Sequence, residues 1–276
     1  MLICSDGVTV GSLSGGCLEE EVVASARGVI RTGAPALMNF DTRLRFGCNG
    51  SIDIFIERAS QEFFDELAER FEQRHSCTAV THFHGDPARL GSSLTSHDVC
   101  ASADVFVQRI EPPIRLIIFG DGPDSAPLSA FAEILGWSVT GADAMADLPE
   151  TVDHRTAAIV KSHNYGRDFA ALRHLLALDL RYVGLMGPRK RRDQLMHALL
   201  DDGVQIDAEL FAPAGLDLNA ETPEEIALAI ISEIQATLAD GSGESLRDRK
   251  APIHGWNIAP AVAKAKPAAE WELSAR

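Results

Sequence analysis

The run Ile114-Arg115-Leu116-Ile117-Ile118-Phe119, followed at once by Gly120-Asp-Gly-Pro-Asp-Ser125, constrains this chain most. A nearly continuous apolar run reads as a strand buried on both faces, the kind a parallel sheet requires. The two glycines let the backbone turn sharply and approach a neighbour closely before a helix begins. The same alternation then repeats. Gly136 to Asp143 reads as a strand, Thr156 to Lys161 as another, and Tyr182 to Met186 as a third. Helices are predicted between them, to Leu135, over Asp168 to Leu178, and over the basic stretch Arg189 to Leu200. Strands alternating with helices give a parallel sheet covered on both faces. Thr222-Pro223-Glu224-Glu225 opens a further helix, with a capping hydroxyl, a proline at the first helical position and an acid that closes a capping box. Ile226, Ile230, Ile231, Ile234 and Leu238 form its apolar stripe.

The first 111 residues follow a different pattern. Met1 to Cys4 and Val8 to Val10 flank an Asp-Gly turn, a hairpin signature. A helix is predicted up to about Arg31, strands over Leu37 to Phe40 and Ser51 to Glu57, and an amphipathic helix over Gln61 to His75. Thr78 to Val107 reads as a small sheet with polar turns. Glu111-Pro112-Pro113 is stiff and excludes helix, which places a boundary there. The expected fold class is α/β. A small α+β domain (1–111) precedes a Rossmann-like parallel-sheet domain (112–247), and a partly disordered tail (248–276) follows. A length of 276 residues also suggests about two domains.

Charge narrows the function classes. Forty acids against 25 bases leave a net charge of −15, which disfavours nucleic-acid and anionic-membrane binding. The five cysteines are odd in number and form no CxxC pair, so neither a disulfide framework nor a structural zinc site is expected. Reduced thiols point to the cytoplasm. Neither a signal segment nor an apolar run approaching 18 residues is present.

Five stretches could carry chemistry. In Gly11-Ser-Leu-Ser14-Gly15-Gly16-Cys17, successive N–H groups of a glycine turn can cradle an anion. A helix N-terminus beside Cys17 would favour its thiolate, and Ser14 could cap that helix. The alternative is a tight turn with an inert buried cysteine. Phe46-Gly47-Cys48-Asn49-Gly50 is a second glycine-flanked cysteine that could converge with the first. Gly120, Gly122 and Ser125 approximate a dinucleotide-binding turn, with Asp143 21 residues beyond Gly122 where a ribose-binding acid belongs. Equally, Asp121 and Pro123 could simply shape the turn. His163, at a strand's carboxyl end, is placed to touch a ligand, or else to cap the next helix. Arg189-Lys-Arg-Arg192 puts four cations where the helix dipole disfavours them, which suits a nearby anion or a solvated basic face. No catalytic triad or metal-ligand spacing is present in the sequence.

Together these motifs resemble the XdhC/CoxI family of accessory proteins for molybdenum hydroxylases. The resemblance rests on VGSLSGGCLEEEV (Val10 to Val22), FGCNGSIDIFIE (Phe46 to Glu57) and VFVQRIEPPIRLIIFGDG (Val105 to Gly122). It continues through LGWSVTGAD (Leu135 to Asp143), YVGLMGPRKRR (Tyr182 to Arg192) and APAGLDLNAETPEEIALAIISEI (Ala212 to Ile234), to Pro252-Ile253-His254. It implies a protein that binds molybdenum cofactor (molybdopterin), protects it during sulfuration and helps insert it into a xanthine dehydrogenase-like hydroxylase. The role implied is that of a chaperone rather than an enzyme. Cys17 would be the cofactor-associated thiol and Cys48 its counterpart. The partners implied are a cysteine desulfurase and a molybdenum hydroxylase subunit, with a homodimer left open. The family also has a helix and strand before the position of Met1, so an open edge is expected in the first sheet. Two other readings stand beside it: an NAD(P)- or nucleotide-dependent enzyme using Gly120 to Asp143, and a partner-binding scaffold without a small ligand.

Overall fold

The computed structural model describes residues 1–13, 18–41, 50–97, 99–149, 151–178, 180–204 and 210–250. The chain forms two compact units, Met1–Ile110 and a second that begins at Glu111. The expected tail lies mostly outside the described residues.

In the first unit, β1 (Leu2–Ile3) and β2 (Thr9–Val10) pair antiparallel across a turn in which Gly7 takes a φ of 91°. Helix α1 (Glu19–Thr32) buries Val22, Ala26 and Val29, spaced three and four apart, and ends on Gly33 in the left-handed conformation. Strands β3 (Ala36–Asp41) and β4 (Ser51–Ile56) form a two-stranded antiparallel sheet, and Leu18, Phe40 and Ile56 complete the small core around α1. The predicted apolar face of β4 is graded rather than uniform. Ile56 is buried, whereas Ile52 is 43% exposed. Helix α2 (Gln61–Glu72) is capped by Ser60, whose side chain accepts from the Phe63 N–H. Strands β5 (Cys77–His82), β6 (Gly91–Thr95) and β7 (Val105–Ile110) form an antiparallel sheet with β5 in the middle. Glu57, just past β4, accepts from the N–H and the hydroxyl of Ser92 on β6.

The second unit holds a five-stranded, wholly parallel sheet made of β8 (Arg115–Phe119), β9 (Ser138–Ala142), β10 (Thr156–Val160), β11 (Tyr182–Leu185) and β12 (Leu210–Phe211). The order across the sheet is β12-β11-β10-β8-β9. In order of appearance that is 2-1-3-4-5, a doubly wound arrangement whose direction reverses between β8 and β10. The two-residue period of a strand divides the core in two. Ile117, Phe119, Ala158, Val160, Val183 and Leu185 face α4 (Tyr165–Leu175) and α5 (Arg189–Asp201). Leu116, Ile118, Ala157, Ile159 and Tyr182 face α3 (Ser125–Ile134) and α6 (Pro223–Leu238). The capping box of α6 forms as its sequence predicts. Thr222 accepts from the Glu225 N–H and Glu225 accepts from the Thr222 N–H. Among the described residues no helix is long and apolar enough to cross a membrane.

Candidate functional site

The carboxyl ends of β8 and β10 lie side by side, and the turns that leave them form the candidate site. Gly120 takes a φ of 108°, and a Cβ there would come within 2.6 Å of the Ser162 Cα. Only glycine allows the two turns to approach this closely. Lys161 continues the alternation of β10 after Ala157 and Ile159, so its side chain emerges on the α3 side. Its ammonium is fully buried. It donates to Asp121 O at 2.8 Å, Ser125 Oγ at 2.9 Å and Gly120 O at 3.4 Å, and lies 2.9 Å from Asp124 Oδ1. Burying an ammonium is tolerable only with such compensation. Gly122, at φ 124°, packs on the same group; a Cβ there would sit 2.9 Å from Asp124 Oδ1.

His163 takes a φ of 54°, unusual for a residue with a Cβ. Its ring is exposed, with Nε2 3.8 Å from Asp124 Oδ2. Asn164, not His163, caps the following helix by accepting from the Arg167 N–H. That cap starts α4 at Tyr165, three residues before the predicted Asp168. Asp168 is thereby drawn inside the fold and buried, where Oδ1 accepts from the N–H and the hydroxyl of Ser162 and Oδ2 from Arg191 Nε at 3.1 Å and Arg191 Nη2.

The basic run is accordingly less free than its sequence suggests. Arg191 is committed to Asp168, and Arg192 bonds Asp193 and the Ala212 carbonyl. Arg189 and Lys190 are exposed. Asp143 follows β9 with an exposed side chain; its N–H donates to Asp147 Oδ2, and its carbonyl accepts from Arg167, whose guanidinium lies over the Phe119 ring. The structure thus brings Gly120, Gly122, Ser125 and His163 together around Lys161 and Asp124. Asp143 is brought beside them by the Gly120 N–H, which donates to the Ala142 carbonyl at 2.9 Å, and its own carbonyl accepts from Arg167.

The sequence assigns no role to Lys161, Asp124 or Asp168, and takes Arg191 only as one of four cations in a basic run. A legible signal existed for Lys161, a charged residue in phase with an otherwise apolar strand.

In the first unit, Ser14, Gly15, Gly16, Cys17, Gly47 and Cys48 lie outside the described residues. Their flanks are placed. Glu19 accepts from the Leu13 N–H at 3.0 Å and the Leu18 N–H at 3.1 Å, one on each side of residues 14–17. Gly50 is exposed immediately before β4. A cavity of about 490 Å³ in this unit is lined by apolar residues including Ile3, Leu13, Val22, Ile54 and Phe63 and by polar ones including Glu57 and Arg58. Among the described residues no group of three or more His, Cys, Asp and Glu side chains could hold a metal ion.

Fold and site define a doubly wound α/β unit, with its candidate site at the sheet's switch point, joined in one chain to a small α+β unit. Residues 116–234 match the XdhC Rossmann domain, and residues 1–41 match the XdhC and CoxI family. A Bacillus subtilis protein whose name describes it as a probable xanthine dehydrogenase subunit is 30% identical, over 86% of this chain and 87% of its own length. The molybdenum cofactor insertion chaperone PaoD of Escherichia coli is 22% identical, over 85% of this chain and 76% of its own. A crystal structure of a xanthine dehydrogenase from Bacillus halodurans shares the fold, with a TM-score of 0.70 at 23% identity, covering 88% of this chain and 87% of that one. The chain belongs to the XdhC and CoxI family.

Proposed function

We propose that this protein is an accessory factor that binds molybdenum cofactor, protects it during sulfuration and assists its insertion into a xanthine dehydrogenase-like molybdenum hydroxylase. The carrying observation is the 30% identity to the Bacillus subtilis relative, which extends across 86% of the chain rather than over the parallel sheet alone. The name of the PaoD relative supports the cofactor assignment. The cofactor acts here as cargo, and two features of its chemistry suit the Ser14-Gly15-Gly16-Cys17 sequence. Its phosphate is the kind of group a glycine turn at a helix start receives, and its soft dithiolene-bound metal tolerates thiolate neighbours such as Cys17 and Cys48. In this reading a cysteine desulfurase supplies the sulfur, the hydroxylase receives the loaded cofactor, and the work is done in the cytoplasm.

The test is to express the chain in a host that makes the cofactor, purify it, oxidise it and measure the fluorescent pterin. Wild-type protein should carry pterin and Cys17→Ala should lose most of it. Equal pterin in the two proteins would refute the assignment of Cys17. A hydroxylase that co-purifies without any pterin would favour a ligand-free scaffold instead.

A further inference from the structure

A dinucleotide bound to a doubly wound sheet rests its pyrophosphate at the switch point, on free N–H groups and the N-terminus of the following helix. The Gly120–Ser125 turn has the right position for this, yet few of the required donors. Pro123 and Pro127 carry no N–H. The Ser125 N–H is spent on Gly122 O at 3.1 Å. The Gly120 N–H is spent on Ala142 O at 2.9 Å, and the Asp121 side chain adds a further carboxylate to the turn.

Charge is equally unfavourable. Asp124 occupies the cap position of α3 but makes no capping hydrogen bond. Its carboxylate instead lies on the Lys161 ammonium, at 2.9 Å. That ammonium is buried, and its three N–H donors are taken by Asp121 O, Ser125 Oγ and Gly120 O, so Asp124 Oδ1 pairs with it by charge alone. It has nothing left for an incoming anion.

We propose that Asp124 is the resident anion of this switch point. Neutralised by Lys161, it takes the electrostatic place of a pyrophosphate beside α3, and the second unit does not bind a dinucleotide there. The inference stands apart from the cofactor-handling role, which concerns Cys17 and Cys48 in the first unit.

Two measurements on the full chain test it. NADH fluorescence titration and calorimetry with inorganic pyrophosphate should show no saturable binding to the wild type up to millimolar ligand. Saturable submillimolar binding of either would overturn the proposal. Asp124→Asn preserves the shape and removes the negative charge. Since unit charges about 4 Å apart at a protein surface shift an equilibrium by more than tenfold, this variant should bind pyrophosphate at least about tenfold more tightly than the wild-type limit. A folded Asp124→Asn protein without that gain also overturns it. If circular dichroism shows this variant unfolded, Asp124→Ser removes the same negative charge with Lys161 retained and should show the same gain; its absence there has the same meaning.

Discussion

The Tyr182 phenol donates to Glu233 Oε2 at 2.7 Å, and the same oxygen accepts from the Gly215 N–H at 2.8 Å. One carboxylate on α6 thus ties β11 to the loop that follows β12. Tyr182 also stacks on Phe211, with ring centroids 4.3 Å apart.

Burial, and then the charge of Glu233, hold the Tyr182 phenol well above its ordinary value of 10.0. A group whose pKa is raised on folding stabilises the fold below its unfolded value and loses that contribution as pH rises toward the folded one. The wild type should therefore lose stability as the pH climbs past about 10, more steeply than Tyr182→Phe. At neutral pH the variant should be about 1–2 kcal/mol less stable, since a hydrogen bond to a charged group is lost. Urea denaturation at pH 7.5 and pH 10.5 measures both effects.

Gly120→Ala should cost about 3 kcal/mol or more. It forces a left-handed φ on a residue with a Cβ and drives that Cβ against the Ser162 backbone, which has no side-chain torsion to relieve the contact. Gly141→Ala, on β9 where a Cβ meets nothing within 4 Å, should cost about 1 kcal/mol or less. Denaturant midpoints for the two variants check the contrast, and equal midpoints would contradict the close approach of the β8 and β10 turns.

Asp168→Asn should destabilise the second unit by about 2–3 kcal/mol. Removing one partner of a buried pair leaves the other uncompensated, and the full figure is reduced because the Arg191 side chain is 23% exposed. The same change leaves one acceptor oxygen for both Ser162 and Arg191, which loosens the His163 turn. Hydrogen exchange should therefore quicken at residues 162–165 more than on α6. Uniform exchange throughout the unit would argue against a local role.

Much of the architecture was legible because it follows from local rules. The β8 run, the Gly120 turn and the Thr222 capping box each express a short-range constraint, and each forms where its sequence places it. Sequence reading erred where a polar residue had two local options. Asn164 and His163 stand next to each other before α4, and the amide is the better cap, so the helix starts earlier and Asp168 moves into the interior. The basic run at Arg189 misled for the opposite reason. Its charges looked solvated or ligand-directed because the partner of Arg191 lies 23 residues away on another helix.

By itself the sequence determined the element types, the parallel sheet with two covered faces, and the family, since all of these reside in periodicity, capping and motif order. The tertiary structure alone decided what occupies the switch point. Lys161, Asp124 and Ser125 look like three ordinary polar residues along the chain. Pairing β8 with β10 brings the lysine beneath the glycine turn, where low dielectric makes every acceptor obligatory. A turn that reads as open to a ligand is thereby filled by the protein's own charges.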